Sequence, residues 1–404
     1  MRSNYRRIGD FIELVKEKNT SFKYTELLGI NIDKFFMPSV ANVVGANMAN
    51  YQVVRKGQFA CNRMHVGRDY RIPIALSRNT EPFIVSPAYD VFEITNTNEL
   101  NEEYLMMWFS RPEFDRNAWF YTDADVRGGL AWEAFCNMQL PVPSIEKQEE
   151  IVAEYNTVVN RIKLNEQLNQ KLEETAQAIY KHWFVEYEFP ISKEQAAEMG
   201  KPELEGQPYK SSGGKMVWCE ELKKEVPEGW EVKRIKNVAH LKYGKMLDSS
   251  LFLDSGFPVF SGYGIRGYSN EYMYEEPQIL VVCRGVSGTG EVRLSPKQSY
   301  ITNLSIIVEI KNHIVSKEYY YYYLKYDNLA ALDSGSAQSQ ITTGDLGFHQ
   351  TLIPHQKVQN FFAIKAKVIH NFLNSNQQSG SKLKELESTI LSKMTKVEEE
   401  REVV

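Results

Sequence analysis

Two long helix-forming segments in this chain can be laid on each other without a gap, and that limits what it can fold into. Residues 143–188 read PSIEKQEEIVAEYNTVVNRIKLNEQLNQKLEETAQAIYKHWFVEYE. Apolar side chains recur at Ile151, Val152, Tyr155, Val158, Val159, Ile162, Leu168, Leu172, Ala176, Ile179 and Trp183. Steps of three and four place them on one stripe of a helix. Pro143 sits where a helix start tolerates it, and Ser144 followed by Lys147 and Gln148 supplies a cap and first turn. Such a helix is about 60 Å long at roughly 1.5 Å per residue. Its stripe needs a partner helix to cover it.

The partner lies in the same chain. From Pro354 towards the C-terminus, Pro143 matches Pro354, Ile151 matches Phe362, Ile162 matches Leu373 and Asn165 matches Asn376. Gln167, Lys171, Leu172 and Ile179 match Gln378, Lys382, Leu383 and Ile390. The lead-in segments also correspond, FCNMQLPVP before the first helix and LGFHQTLIP before the second. The period is far longer than a solenoid repeat, so it predicts a duplicated unit of globular domain plus helix. The second helix is less regular. Residues 374–381 hold few helix formers, with Gly380 among them, and predict a kink or a break.

At 404 residues the chain has room for two or three domains, and its aromatic content allows large cores. No apolar run is long enough to span a bilayer, and MRSNYRRIGD is not a signal peptide. Cys61, Cys136, Cys219 and Cys283 are scattered and form no CxxC pair, which points to a reducing cytoplasm and away from zinc or disulfides. The net charge of −5 weakly opposes nucleic-acid binding. The distribution of charge says more. Between Asn47 and Arg78 lie Arg55, Lys56, Arg63, Arg68, Arg71 and Arg78, against the single acid Asp69. The first long helix carries the excess acid.

In order along the chain, residues 1–142 read as a mixed α/β domain. YQVVRKGQFACNRM, IPIALS and EPFIVSPAYDVFEI look like strands, and NELNEEYLMMWFSRPEF reads as a helix ended by Pro112. IGDFIELVKEKN mixes strand and helix signals. Residues 143–188 form the first long helix, and residues 189–228 read as a linker rich in Pro, Gly, Ser and charge. Residues 229–352 read as a second globular domain of short strands with a helix starting near Ser316, and residues 353–404 as the second long helix. The fold class is therefore α/β (α+β): two similar domains with a pair of long helices, pairing as an antiparallel coiled coil with approximate two-fold internal symmetry. That geometry suits a target with two separated half-sites.

The ordered set of segments resembles the specificity (S) subunits of type I restriction–modification systems. The resemblance rests on LPVPSIEKQEEI at 140–151, YKHWFVEYEFP at 180–190 and SSGGKMVWCEELKKEVPEGWEV at 211–232. In the globular parts it rests on IVSPAY at 84–89, GYGIRG at 262–267 and GSAQSQI at 335–341. It covers essentially the whole chain. It implies two target-recognition domains, each reading one part of a bipartite sequence in double-stranded DNA. It also implies helices that space the readers and dock two methyltransferase (M) subunits, which carry S-adenosylmethionine and methylate adenine. A restriction (R) subunit joins through them. The S subunit itself is implied to be non-catalytic, without cofactor or metal.

Motif inspection agrees with that expectation. Gly214-Lys215 is followed by Met216, with Tyr209 where a P-loop needs its first glycine. The glycine-rich 286–292 lies among strands, and the seven histidines form no HExxH. DNA contacts are expected from loops. In the first reader the candidates are Asn47, Arg55, Lys56, Asn62, Arg63, Arg68, Arg71 and Arg78. Asn47 and Asn62 are of the type that pairs an adenine edge, and arginine the type that pairs guanine. In the second they are Lys242, Lys245, Tyr263, Arg266, Arg284, Arg293, Gln338 and Gln340. The plainer alternative is that most are solvated surface charges. The tyrosine run 319–323, and Trp108, Trp119 and Trp132, read as core. An enzyme with a cryptic site and a coiled-coil scaffold without a DNA role remain open on sequence alone.

Overall fold

The computed structural model describes residues 5–40, 47–64, 66–122, 128–285, 288–311, 314–334 and 339–394. They divide into two compact units. Unit 1 is Met1–Glu166 with Gln377–Val404, and unit 2 is Gln167–Asn376.

Unit 1 is built on a four-stranded antiparallel sheet in the order Ile12–Val15, Asp90–Ile94, Phe59–Cys61, Ile74–Leu76. The stretch with mixed strand and helix signals becomes a 3-10 turn, Ile8–Asp10, followed by the strand from Ile12. Every residue of the inner strand Phe59–Cys61 and of the edge strand Ile74–Leu76 is buried, so both are covered on both faces. The helix Glu102–Phe109 starts because the Asn101 side chain accepts from the Glu103 and Tyr104 amides, and it buries Tyr104 through Phe109. Pro112 does not simply end this region. It opens a second helix, Pro112–Phe120, because proline lacks only an N–H that a first turn leaves unused.

Unit 2 repeats this plan. Its main sheet runs Ala239–Tyr243, Ser305–Ile310, Ile279–Val282, Val292–Leu294, again antiparallel. A hairpin of Phe257–Phe260 and Ile265–Ser269 pairs on its other side, in parallel, with Tyr300–Ile301. The helix Lys317–Tyr326 is capped by Ser316 and buries Tyr319, Tyr320, Tyr321 and Tyr322, so the tyrosine run is core. Of the tryptophans, Trp108 is buried, whereas Trp119 is 45% exposed.

In both units the globular part opens and closes through one pair of strands. Tyr5–Arg7 pairs with Gln139–Pro141, and Glu231–Arg234 pairs with Gln350–Ile353. The buried glutamines Gln148 and Gln359 repeat a second detail. Gln148 Oε1 accepts from the Asn101 amide at 2.8 Å, and Gln359 Oε1 accepts from the Ser316 amide at 2.8 Å. Each thus ties the start of a long helix to the cap of a globular-domain helix in its own unit.

The first long helix spans Ile145–Tyr180, followed by a π-turn over Lys181–Val185, and the second spans Gln356–Lys393. Within unit 1, Val152 and Val158 share a core with Ile390 and Met394. Tyr155 donates to Glu387 Oε1 at 3.0 Å, and Lys384 lies 3.8 Å from Glu166. Within unit 2, Tyr180 meets Phe362 at 6.1 Å and Asn169 accepts from Asn376 at 3.1 Å. In each unit partner numbers fall as helix numbers rise, so the pairing is antiparallel.

Three expectations are corrected. The second helix continues through 374–381, and Gly380 has open space around it. Leu168 does not join the stripe: it is exposed, while Asn165 takes the buried position. Residues 189–228 are not a linker. They form a capped helix, Lys193–Glu198, and a hairpin of Met216–Cys219 with Lys224–Pro227. Phe189, Ile191, Ala196, Tyr209, Cys219 and Val226 are buried in the core of unit 2. The segment's polar residues lie between these anchors, which hides their spacing from any periodicity count.

Candidate nucleic-acid interface

In unit 1 the basic candidates sit on three connections, and most are held by carboxylates. Arg55 and Lys56 lie in the turn before Phe59–Cys61, where Gly57 has φ 85°. Arg55 forks onto Glu17, Nε to Oε2 at 2.9 Å and Nη2 to Oε1 at 2.7 Å. That hydrogen bonding holds the Glu17 carboxyl below its ordinary range and the guanidinium above its own. Lys56 is exposed and makes no ion pair with a described residue. Arg78 donates to Glu103 with Nε to Oε1 at 2.6 Å.

The connection from Phe59–Cys61 to Ile74–Leu76 carries the rest. Arg63 is half-buried, with Nε donating to Asp90 Oδ2 at 2.7 Å, Nη1 donating to the Leu130 carbonyl, and its guanidinium 5.5 Å from the Trp132 ring centre. Arg68 forks onto Asp69 at 2.7 and 2.9 Å, and Arg71 reaches Asp33 at 2.9 Å. Asn62 accepts from the Met64 amide at 3.0 Å, and Asn47 from the Ala49 amide at 3.1 Å. Pairing an adenine edge uses both the oxygen and the nitrogen of an asparagine, so these two oxygens would first have to leave their turns.

Beside this connection the structure brings up side chains that sequence reading had assigned to the core or passed over. Tyr70, in the left-handed region at φ 56°, packs edge-on against Trp119 with ring centres 5.2 Å apart. Phe120, next to Trp119, is 76% exposed. Helical periodicity alone cannot separate such an outward aromatic from a core one.

Unit 2 differs in its charge balance. Lys242 is paired with Glu309 at 2.6 Å and Arg293 with Glu291. Lys245, Arg266 and Arg284 make no ion pair with a described residue. They lie round the hairpin tip Ser261–Gly264. The tip is held by Ser261 N–H to the Gly264 carbonyl at 3.1 Å and by the Thr302 amide donating to Phe260 at 3.0 Å. The Lys245 amide donates to Ile301, which pairs with Phe260, so Lys245 stands at the same end. Tyr263 donates its hydroxyl to the Arg284 carbonyl at 2.9 Å, and burial raises its phenol above the ordinary range. Arg284 bridges Gln340 through the backbone, and Gln340 donates its amide to Asp333 at 2.8 Å. Gln338 falls outside the described residues. Two glycines make this crowding possible. A Cβ on Gly285 would lie 1.9 Å from the Tyr263 oxygen, and one on Gly244 would lie 2.2 Å from the Thr302 carbonyl oxygen.

This is an end of a folded unit that offers cations without an ion pair to any described residue, together with aromatic edges, a combination suited to polyanion binding with base-edge contact. Among the described residues no group of three or more His, Cys, Asp or Glu side chains is placed to hold a metal. No described helix is long and apolar enough to cross a membrane.

Residues 227–388 match the family model described as the type I restriction modification DNA specificity domain. The chain is similar to type I restriction specificity subunits. It is 22% identical to the type I restriction enzyme HindI specificity subunit of Haemophilus influenzae, covering 96% of this chain and 97% of that protein. It is also 22% identical to the MjaIX specificity subunit of Methanocaldococcus jannaschii, over 67% of this chain and 64% of that one. Its fold is that of the type I restriction–modification S subunit from M. genitalium, with TM-score 0.58 and 15% identity over 96% of this chain and 95% of that one. The fold is mixed helix and strand with two long helices. The family match takes in every unit 2 candidate named above, from Lys242 to Gln340.

Proposed function

We propose that this chain is the sequence-specific DNA-binding subunit of a type I restriction–modification complex. Each unit reads one part of a bipartite duplex target. The chain recruits two methyltransferase subunits and, through them, a restriction subunit, and is itself non-catalytic, without cofactor. It acts in the cytoplasm. The observation that carries this reading is the group of unpaired cations, Lys245, Arg266 and Arg284, round the Tyr263 tip, within the residues that match a DNA specificity domain. The same strand order in unit 1 supports a second reader of the same kind.

The two readers would work from different starting states. In unit 2 the free cations meet phosphate and base edges directly. In unit 1, Arg55, Arg68, Arg71 and Arg78 exchange exposed carboxylates for phosphates, since exposed pairs are worth only about 0–1 kcal/mol. Counterion release then supplies affinity, and the base-edge contacts supply the choice of sequence. The methyltransferase subunits bring the adenine chemistry, which requires the base to leave the stack.

The test is sequencing of methylated adenine in DNA from cells expressing this chain with its methyltransferase partner. An interrupted two-part motif that depends on this chain is the expected result. A bound, folded partner that yields no such motif removes the specificity role.

A further inference from the structure

We infer that Arg284 is a pre-aimed guanine reader in unit 2, its guanidinium held against Tyr243 so that its terminal nitrogens meet the O6/N7 edge of one guanine in the half-site. The inference rests on the DNA-binding reading above and names the base and the residue within it.

The first ground is the state of the guanidinium. Among the candidate arginines, Arg55, Arg63, Arg68, Arg71, Arg78 and Arg293 all spend donors on carboxylates, while Arg266 pairs with no described carboxylate but lies exposed on its strand. Arg284 does neither. Its carbon Cζ lies 5.4 Å from the centre of the Tyr243 ring, and its Nε is buried without a hydrogen-bond partner. The residue as a whole is only half-buried. An arginine whose inner edge is sealed against a ring face keeps its outer fork for a ligand, and a fork of two parallel N–H donors matches a guanine edge.

The second ground is how firmly the platform is set. Tyr243 ends the strand Ala239–Tyr243, and its hydroxyl accepts from the Thr343 amide at 3.3 Å. The Arg284 main chain is fixed on two sides, by the Tyr263 hydroxyl on its carbonyl and by the bridge to Gln340. Gly285 lets Tyr263 approach to a distance that no Cβ would allow. The freedom that an arginine usually loses on binding is thus already largely removed, which favours discrimination over mere attraction. A phosphate-binding arginine needs no such platform.

The test uses the complete complex of this chain with its methyltransferase subunits. Wild type and Arg284→Gln are compared by methylated-adenine sequencing. Arg284→Gln is expected to remove the demand for a G·C pair at one position of the unit 2 half-motif, with preference there falling about 5- to 150-fold. The other half-motif stays as in wild type. A second measurement does not depend on a variant that folds. Wild-type complex is titrated with duplexes carrying 7-deazaguanine at each guanine of that half-site in turn, and one guanine is expected to account for the loss of binding. An unchanged motif with Arg284→Gln, an even loss over all positions, or indifference to every 7-deazaguanine overturns the assignment while leaving the DNA-binding reading intact. Absence of any two-part motif in wild type overturns both.

Discussion

Lys34 shows how a single buried charge can set the frame of a reader. It adopts φ 71°, and its ammonium donates to the Phe109 carbonyl and to Asp115 Oδ1 at 2.8 Å, while Asp115 also accepts the Ile72 amide at 3.2 Å. Burial lowers the Lys34 ammonium pKa and Asp115 counteracts that shift. Lys34→Met would leave a carboxylate buried without its cation, and we expect unfolding stability to fall by about 3–5 kcal/mol. Urea denaturation followed by tryptophan fluorescence measures this, and a loss under about 1 kcal/mol would contradict the assigned role. His370 gives a pH prediction. Burial lowers its pKa from 6.5, and its Nε2 lies 3.0 Å from the Tyr322 hydroxyl. The folded state therefore binds the proton less readily than the unfolded chain. Its neutral form contributes full stability above pH about 6.5, and stability falls as the pH drops below that value towards the folded pKa. Thermal melts at pH 7.5 and 5.5 should show the drop, and His370→Gln should make it smaller. The same scale explains what a linear reading missed at the site. Between Asn47 and Arg78 the sequence holds one acid, yet Glu17, Asp33, Asp90 and Glu103 come in from elsewhere to occupy Arg55, Arg71, Arg63 and Arg78. A local charge count has no access to partners supplied by the fold. Arg284 was legible as a basic residue in a strand-rich stretch, but its Tyr243 platform comes from forty-one residues earlier in the chain and left no local mark.

At the scale of elements, the long helices were the most legible part, because a stripe at three- and four-residue steps survives whatever packs on it. The middle of the stripe was not, since Asn165 is buried where a leucine count favoured Leu168. Composition also misjudged the second helix. Its glycine weakens it without breaking it, because pairing along both flanks outweighs one residue's propensity. Gly380→Ala, at a helical position with nothing within 4 Å, should stabilise the chain by about 0.5–1 kcal/mol, read as a higher melting temperature. No gain would mean that the glycine has a role its open surroundings do not reveal. The exposed Tyr70–Trp119 pair belongs to this scale as well, since it joins the helix Pro112–Phe120 to the connection that holds Tyr70. If that edge meets DNA, Trp119→Ala should weaken binding of the unit 1 half-site at least several-fold in a gel-shift titration, with the fold intact by circular dichroism. Equal affinity would return the pair to plain surface.

For the whole molecule, the repeat seen in the sequence is a repeat of topology, with the same strand order, the same capped reader helix and the same buried glutamine in each unit. Replacing residues 229–352 with those of a relative should therefore alter one half of the methylated motif and leave the other unchanged, as read by methylated-adenine sequencing. A change in both halves would show that the units do not read independently. The paired strands at the base of each reader have a further consequence. Tyr5 lies opposite Pro141, and Glu231 opposite Ile353, so each reader leaves the chain where it entered it. A genetic crossover in the stretches encoding those strands would exchange an entire reader while leaving the long helices in register. Lineages carrying such genes could then acquire new specificities by reshuffling existing readers, without waiting for substitutions to rebuild one.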